Sequence, residues 1–99
     1  MRQRISEKTT VVAAKDQVSA NLTGEVAILH LKSGIYYGLN AVGARVWNFI
    51  RVPKKVSEIR DLLLAEYGTE PERCWSDLLK LLTQLMDEGL VDVKDDSSA

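Results

Sequence analysis

The sequence predicts an α+β fold in which a three-stranded antiparallel sheet is followed by three helices. Three observations predict it. Short apolar and β-branched runs, separated by turns at Gly24 and Gly34, occupy the first forty residues. From about residue 41 onwards, apolar residues recur at helical spacing. Each helical segment ends at a local stop signal, namely Pro53, Gly68 and Gly89.

The three strands are predicted over residues 18–22, 26–31 and 35–39. Apolar and polar residues alternate in the first, which is typical of a half-buried strand. The second, VAILHL, is nearly all apolar, so we expect a central strand covered on both faces. The third, IYYGL, is rich in aromatic and β-branched residues. Weaker patterns over 9–13 and 90–93 favour two further short strands.

Capping residues define the three predicted helices. Asn40 offers a side-chain oxygen to the free amides of a first helix over residues 41–50. Ser57 can cap the second helix, which ends at Gly68.

The third helix is predicted from residues 69–72 to about residue 88. Thr69 and Glu72 have the spacing of a capping box, and Pro71 suits a first turn. Gly89 ends the helix, and Leu90 is placed to fold back on its last turn.

Two adjacent apolar stripes run along this third helix, and together they are wider than one core-facing stripe requires. One interpretation is a helix buried between a sheet and other helices. The other is that one stripe faces the core while part of the second lines a groove for a partner. The stripes are Cys74, Leu78, Leu81 and Leu85, and Trp75, Leu79, Leu82 and Met86.

Composition and residue spacing argue against several classes of function. Thirteen basic and fourteen acidic residues give a net charge of −1, with no positive patch for nucleic acid. His30 is the only histidine, and Cys74, the only cysteine, reads as a buried structural thiol. We therefore expect no catalytic residues, metal or cofactor. The acidic pair Asp87-Glu88 reads as a solvated helix end.

The location expected from the sequence is cytoplasmic. The first ten residues lack the apolar stretch of a signal peptide, and no apolar run reaches the length of a membrane span. We expect no membrane partner, and the oligomeric state stays open.

Binding is the remaining class of function, and the third strand is the candidate surface. It is apolar and has no Pro or Lys to block pairing along a sheet edge. Such an edge is either covered by a segment of the same chain, for example residues 11–13, or used to bind a peptide as an added strand.

The run KSGIYYGLNAVGARVW, residues 32–47, resembles the strand-to-helix signature of the PqqD-like family. It is especially similar to the stand-alone proteins of lasso peptide gene clusters. The run DLLKLLTQLMDEGLV, residues 77–91, resembles the closing helix of that family. The resemblance covers about residues 18–93.

The resemblance implies a winged helix-turn-helix arrangement that binds the leader region of a ribosomally synthesised precursor peptide. The leader would add an antiparallel strand to the third strand, pack against the third helix, and so reach a leader peptidase or another modifying enzyme. The third strand contributes Ile35, Tyr36, Tyr37, Gly38 and Leu39 by position. The helix contacts are those on the face of the third helix that is expected to lie toward that strand: Asp77, Lys80, Leu81 and Gln84.

The predicted organisation has three parts. Residues 1–16 form an N-terminal extension, either flexible or an extra strand; residues 17–93 form the leader-binding domain; and residues 94–99 form a polar tail.

The alternative function is a winged-helix regulator that binds nucleic acid. A recognition helix needs basic and amide side chains, whereas the second helix offers Arg60 beside Glu58, Asp61 and Glu66.

Overall fold

The computed structural model describes residues 5–94, which form two small antiparallel sheets and three helices. The elements follow one another along the chain in this order: β1 Thr10–Ala13, β2 Gln17–Leu22, β3 Glu25–His30, β4 Tyr36–Leu39, α1 Ala41–Phe49, β5 Lys54–Lys55, α2 Val56–Tyr67, α3 Pro71–Asp87 and β6 Val91–Lys94. The predicted α+β class, with its three-stranded antiparallel sheet followed by three helices, is confirmed.

The first sheet is a meander of β2, β3 and β4, with β3 in the centre. Val26 and Ile28 of β3 are buried and face the helices, whereas Ala27 and Leu29 are only half-buried on the other face. The expectation that this strand is covered on both faces is therefore wrong. The apolar run reflects one core-facing row and one partly exposed row of the sheet.

The second sheet joins segments that lie far apart in the sequence. β1 pairs with β5 on one side and with β6 on the other. This pairing takes residues 11–13 away from the first sheet, so they do not cover the edge of β4. The strand patterns over 9–13 and 90–93 anticipated β1 and β6, but β5 and the sheet itself were missed. Residues 1–4 and 95–99 of the predicted extension and tail lie outside the described residues.

The core lies where the three helices pack on the inner face of the first sheet. Trp47 of α1 is fully buried at its centre, among residues of every helix and of β3. The main members of the core are Val26, Ile28, Val46, Trp47, Ile50, Ile59, Leu63, Leu78, Leu82, Leu85 and Leu90. This packing fixes α3 beside the first sheet.

Helix ends follow the predicted stop signals better than the predicted caps. Gly68 ends α2 with φ of 62°, and Leu90 N–H donates to Leu85 O at 2.9 Å beyond Gly89. Ser57, however, lies inside α2, because the amides of Val56 and Ser57 donate to carbonyl groups of the N-terminal segment instead. The capping residue of α3 is Glu70, not Thr69, because Pro71 is the first helical residue.

Candidate functional site

The free side of β4 is an open sheet edge within the part of the chain that the structure describes. His30 N–H donates to the Ile35 carbonyl oxygen at 3.0 Å, so these opposite residues form a hydrogen-bonded pair. Such pairs alternate along an antiparallel ladder. With the observed register, Tyr37 bonds to β3, whereas the backbone N–H and C=O groups of Tyr36 and Gly38 point to the open edge. This edge can accept a further strand.

A groove of about 660 Å³ runs between this edge and α3, and we call it the β4–α3 groove. One wall comes from β4 and the start of α1: Tyr36, Tyr37, Gly38, Leu39, Asn40, Val42 and Gly43. The other wall comes from α3: Asp77, Leu81, Gln84, Leu85 and Glu88 at its C-cap. The groove combines apolar leucines with a polar border, as expected of a surface that binds apolar side chains.

The junction between β4 and α1 holds one end of the groove in shape. The Asn40 side chain accepts a hydrogen bond from Gly43 N–H at 2.9 Å, which confirms the predicted cap. A β-carbon placed on Gly43 would lie 3.2 Å from the Leu39 β-carbon, tighter than ordinary contact. Glycine at this position therefore lets α1 start close against the last residue of β4.

A hydrogen bond between Tyr37 and Glu88 connects the two walls of the groove. The Tyr37 hydroxyl donates a hydrogen bond to Glu88 Oε2 at 2.6 Å, across 51 positions of sequence. This bond, with lesser contributions from burial and from the Glu88 charge, raises the pKa of the Tyr37 phenol. Glu88 is thus a residue of the groove lining that sequence analysis missed, because a helix-end carboxylate shows no partner until the helix packs beside β4.

Seven of the nine residues named from the sequence line the groove: Tyr36, Tyr37, Gly38, Leu39, Asp77, Leu81 and Gln84. Ile35 and Lys80 do not. Ile35 lies just before β4 and is exposed, and Lys80 borders a shallower cavity on the outer side of α3. Five further residues line the groove without having been named as peptide contacts: Asn40, Val42, Gly43, Leu85 and Glu88.

The two apolar stripes of α3 do not divide neatly between core and groove. Cys74, Leu78 and Leu85 of the first stripe are buried, and so is Leu82 of the second. Leu81, half-buried, turns from the first stripe into the groove. Both interpretations of the helix therefore hold in part: most of the excess apolar surface is core, and a minority faces the groove.

The thiol and the histidine show no arrangement for catalysis. Cys74 is buried; burial chiefly, and the nearby Asp77 charge, raise the pKa of its thiol despite an opposing effect of Arg60. His30 Nδ1 accepts a hydrogen bond from Ser33 N–H at 3.3 Å. Within residues 5–94, no three His, Cys, Asp or Glu side chains are grouped to hold a metal ion.

None of α1 to α3 combines the length and hydropathy that a transmembrane helix requires.

Comparison with known proteins points to one family. The family model described as Coenzyme PQQ synthesis protein D (PqqD) matches residues 25–91. The solved structure "TbiB1 in Complex with the TbiA(beta) Leader Peptide" is 36% identical, with a TM-score of 0.77, over 82% of this chain and 94% of that one. No curated protein sequence matches the chain.

A second solved structure, "Lasso peptide synthetase B1 complexed with the leader peptide", is similar in fold. It is 21% identical, with a TM-score of 0.74, over 83% of this chain and 96% of that one. This chain spans nearly the full length of both solved structures.

Proposed function

This chain belongs to the PqqD family, and on that premise we propose that it binds the leader region of a ribosomally synthesised precursor peptide. The leader adds a strand to the free edge of β4 and places alternate side chains in the β4–α3 groove. The protein itself catalyses no reaction. The observation that carries this proposal is an open sheet edge lying directly beside a partly apolar groove.

The division of work between edge and groove explains how one peptide is chosen. Backbone hydrogen bonds to Tyr36 and Gly38 are available to almost any extended sequence, so they supply affinity without selectivity. Side chains of the added strand point alternately toward and away from α3. Those pointing toward it meet Leu81 and Leu85, which favour apolar residues. Selectivity therefore depends on every second residue of the leader.

The length of the groove sets the length of the strand that it can hold. Asp77 and Glu88 lie eleven residues apart on α3, hence about 16 Å along the helix axis. An extended strand spans that distance in about five residues. A contact of this size, with two or three buried anchors, is consistent with a Kd in the roughly micromolar to nanomolar range.

Binding of a leader by TbiB1, as the name of that complex states, supports the proposal, because TbiB1 is 36% identical over most of both chains. We further propose that the bound precursor is presented to a leader peptidase or another modifying enzyme. The outer face of the first sheet supports this step, since it leaves apolar side chains such as Val18 and Leu22 exposed. A partner could contact this face without disturbing the groove.

Within residues 5–94, helix α2 offers no free basic side chain for the alternative of nucleic-acid binding. Arg60, the one basic residue of α2, is held by the carboxylates of Glu7 and Asp61 and lies over the Trp75 ring. It is therefore engaged within the protein and is not free to meet a phosphate or a base edge.

The proposal is tested by selecting binders from a displayed library of random peptides about a dozen residues long, more than twice what the groove spans. Isotope-labelled binders are then examined by NMR in complex with the protein. We expect extended peptides with cross-strand contacts to Tyr36 and Gly38. Peptides that bind as helices, or that contact α1 and α2 without contacting β4, would contradict the proposal.

A further inference from the structure

Asp77 occupies a junction between two cavities. The β4–α3 groove and a smaller apolar pocket of about 140 Å³ share three lining residues, Val42, Asp77 and Leu81. The smaller pocket continues between the three helices, where it is lined by residues such as Val46 and Leu63. A cavity of this volume has room for one ring or one aliphatic side chain. A groove-facing side chain of a bound peptide can therefore reach the junction, where the Asp77 carboxylate lies.

The groove lining is acidic. It includes two carboxylates, Asp77 and Glu88, and no Lys, Arg or His. Glu88 already accepts the Tyr37 hydroxyl. Asp77 is exposed, and no hydrogen bond or ion pair of its side chain to another residue is found within residues 5–94. The carboxylate at the junction thus remains available to a ligand.

Basic residues near Asp77 do not neutralise it. Arg73 and Lys80 lie about one turn away on α3, and neither forms an ion pair with it. Lys80 instead borders the shallower cavity on the outer side of the helix. The Asp77 carboxylate lies close enough to Cys74 that its charge, after burial, raises the pKa of the Cys74 thiol. A cation at the junction would therefore meet an unpaired negative charge in a partly enclosed site.

We propose that Asp77 selects leader peptides that carry a lysine or an arginine at one groove-facing position. This inference rests on the proposed function and adds the chemical class of one anchor residue. The aliphatic stem of Lys or Arg would cover Val42 and Leu81, and its charged end would bond to the Asp77 carboxylate. A purely aliphatic anchor would fill the pocket but leave that carboxylate unpaired.

The experiment is peptide selection on four forms of the protein: unaltered, Asp77→Asn, Asp77→Lys and Glu72→Lys. Glu72 is an exposed carboxylate on the same helix that lines neither cavity, so its reversal is the matched control. On the unaltered protein and on the control we expect one aligned position enriched in Lys and Arg. Asp77→Asn should lose that enrichment, and Asp77→Lys should replace it with Asp and Glu.

A second measurement needs no altered protein. Replacing the enriched basic residue of a selected peptide by methionine keeps the stem but removes the charge, and should weaken binding roughly tenfold. Equal affinity of the methionine peptide, or a basic preference that persists unchanged in Asp77→Asn, would overturn the inference.

Failure of the inference can be distinguished from failure of the proposed function. Peptides that need the β4 edge, because Gly38→Pro abolishes their binding, yet show no basic position, contradict the role of Asp77 alone. A selection that yields no edge-dependent peptide contradicts the proposed function as well.

Discussion

The two outer strands of the first sheet, β2 and β4, both present unpaired backbone groups, but they do so in different surroundings. β4 lies beside α3, and the space between them is the β4–α3 groove. β2 contributes no residue to this groove; on that strand the Arg51 guanidinium donates to Ser19 Oγ at 2.8 Å, and Val18 and Leu22 are exposed. An edge alone offers sequence-independent bonds, so in the proposed function the neighbouring helix is what would make peptide binding at β4 selective.

The outward-facing backbone groups of β2 can be identified, so the β2 and β4 edges can be compared by the same type of substitution. Leu31 N–H donates to Asp16 O at 3.0 Å, which marks a bonded pair at the end of the β2–β3 ladder. Alternation then turns the backbone groups of Ser19 and Asn21 away from β3, as it does those of Gly38 on β4. Gly38 and Asn21 are therefore equivalent positions on opposite edges of one sheet.

The largest expected effect comes from Gly38→Pro, which should abolish peptide binding. Proline removes the outward N–H that an added strand would use, while its missing donor costs the β3–β4 ladder nothing. The matched control, Asn21→Pro, should leave affinity unchanged. Calorimetric titration with a selected peptide gives both values. Comparable losses in the two variants would show that the edges do not differ as proposed.

The next effect concerns the groove, and Leu81→Ala should weaken binding roughly tenfold. Leu81 is half-buried and faces the groove, so truncating it removes apolar contact with the peptide, worth about 1–2 kcal/mol. Leu79→Ala is the control, because Leu79 is also half-buried but lines the shallower cavity on the outer side of α3. If Leu79→Ala weakened binding more, the peptide would lie on the wrong side of the helix.

Asn40→Ala should show whether the β4–α1 junction contributes to stability or to peptide contact. Loss of the bond to Gly43 N–H should lower the free energy of unfolding by about 1 kcal/mol. The corresponding fall in Tm is about 4–8 °C for a domain of this size. Asn48→Ala, at an exposed position within the same helix, should not destabilise. Thermal denaturation measures both; an unchanged Tm with lost peptide binding would make Asn40 a contact residue.

The smallest effect is the pH dependence of the Tyr37–Glu88 contact in the lining of the groove. The Glu88 carboxylate holds the pKa of Tyr37 above its ordinary value. Because the folded-state pKa is raised, this contact stabilises the fold below the ordinary tyrosine pKa, and the contribution is lost as pH rises through the folded-state value. Ultraviolet titration should show a late-ionising phenol that disappears in Tyr37→Phe and in Glu88→Gln but persists in Tyr36→Phe.

Sequence analysis succeeded where the signal is local. Asn40 follows a strand and precedes a helical pattern, so its capping role depends on residues three positions away. Gly89 and Leu90 terminate α3 by the same kind of short-range contact. The three-stranded meander was predicted because turns at Gly24 and Gly34 separate its strands, and both glycines adopt positive φ.

It failed where partners are distant in the chain. The amide of Val56 donates to Thr9 O, and β1 pairs with β6 at the other end of the domain. Neither contact can be predicted from the alternation of apolar and polar residues, because that alternation does not identify the neighbouring strand. The predicted cap at Ser57, the double covering of β3 and the omission of Glu88 all have this origin.

Amide hydrogen exchange on the two edges of the first sheet tests the central claim most directly. Exchange is followed residue by residue with and without a saturating selected peptide. We expect the Tyr36 and Gly38 amides to become protected on binding, while those of Ser19 and Asn21 exchange at unchanged rates. Protection of Ser19 and Asn21 with Tyr36 and Gly38 unaffected would contradict it and assign the peptide to the β2 edge.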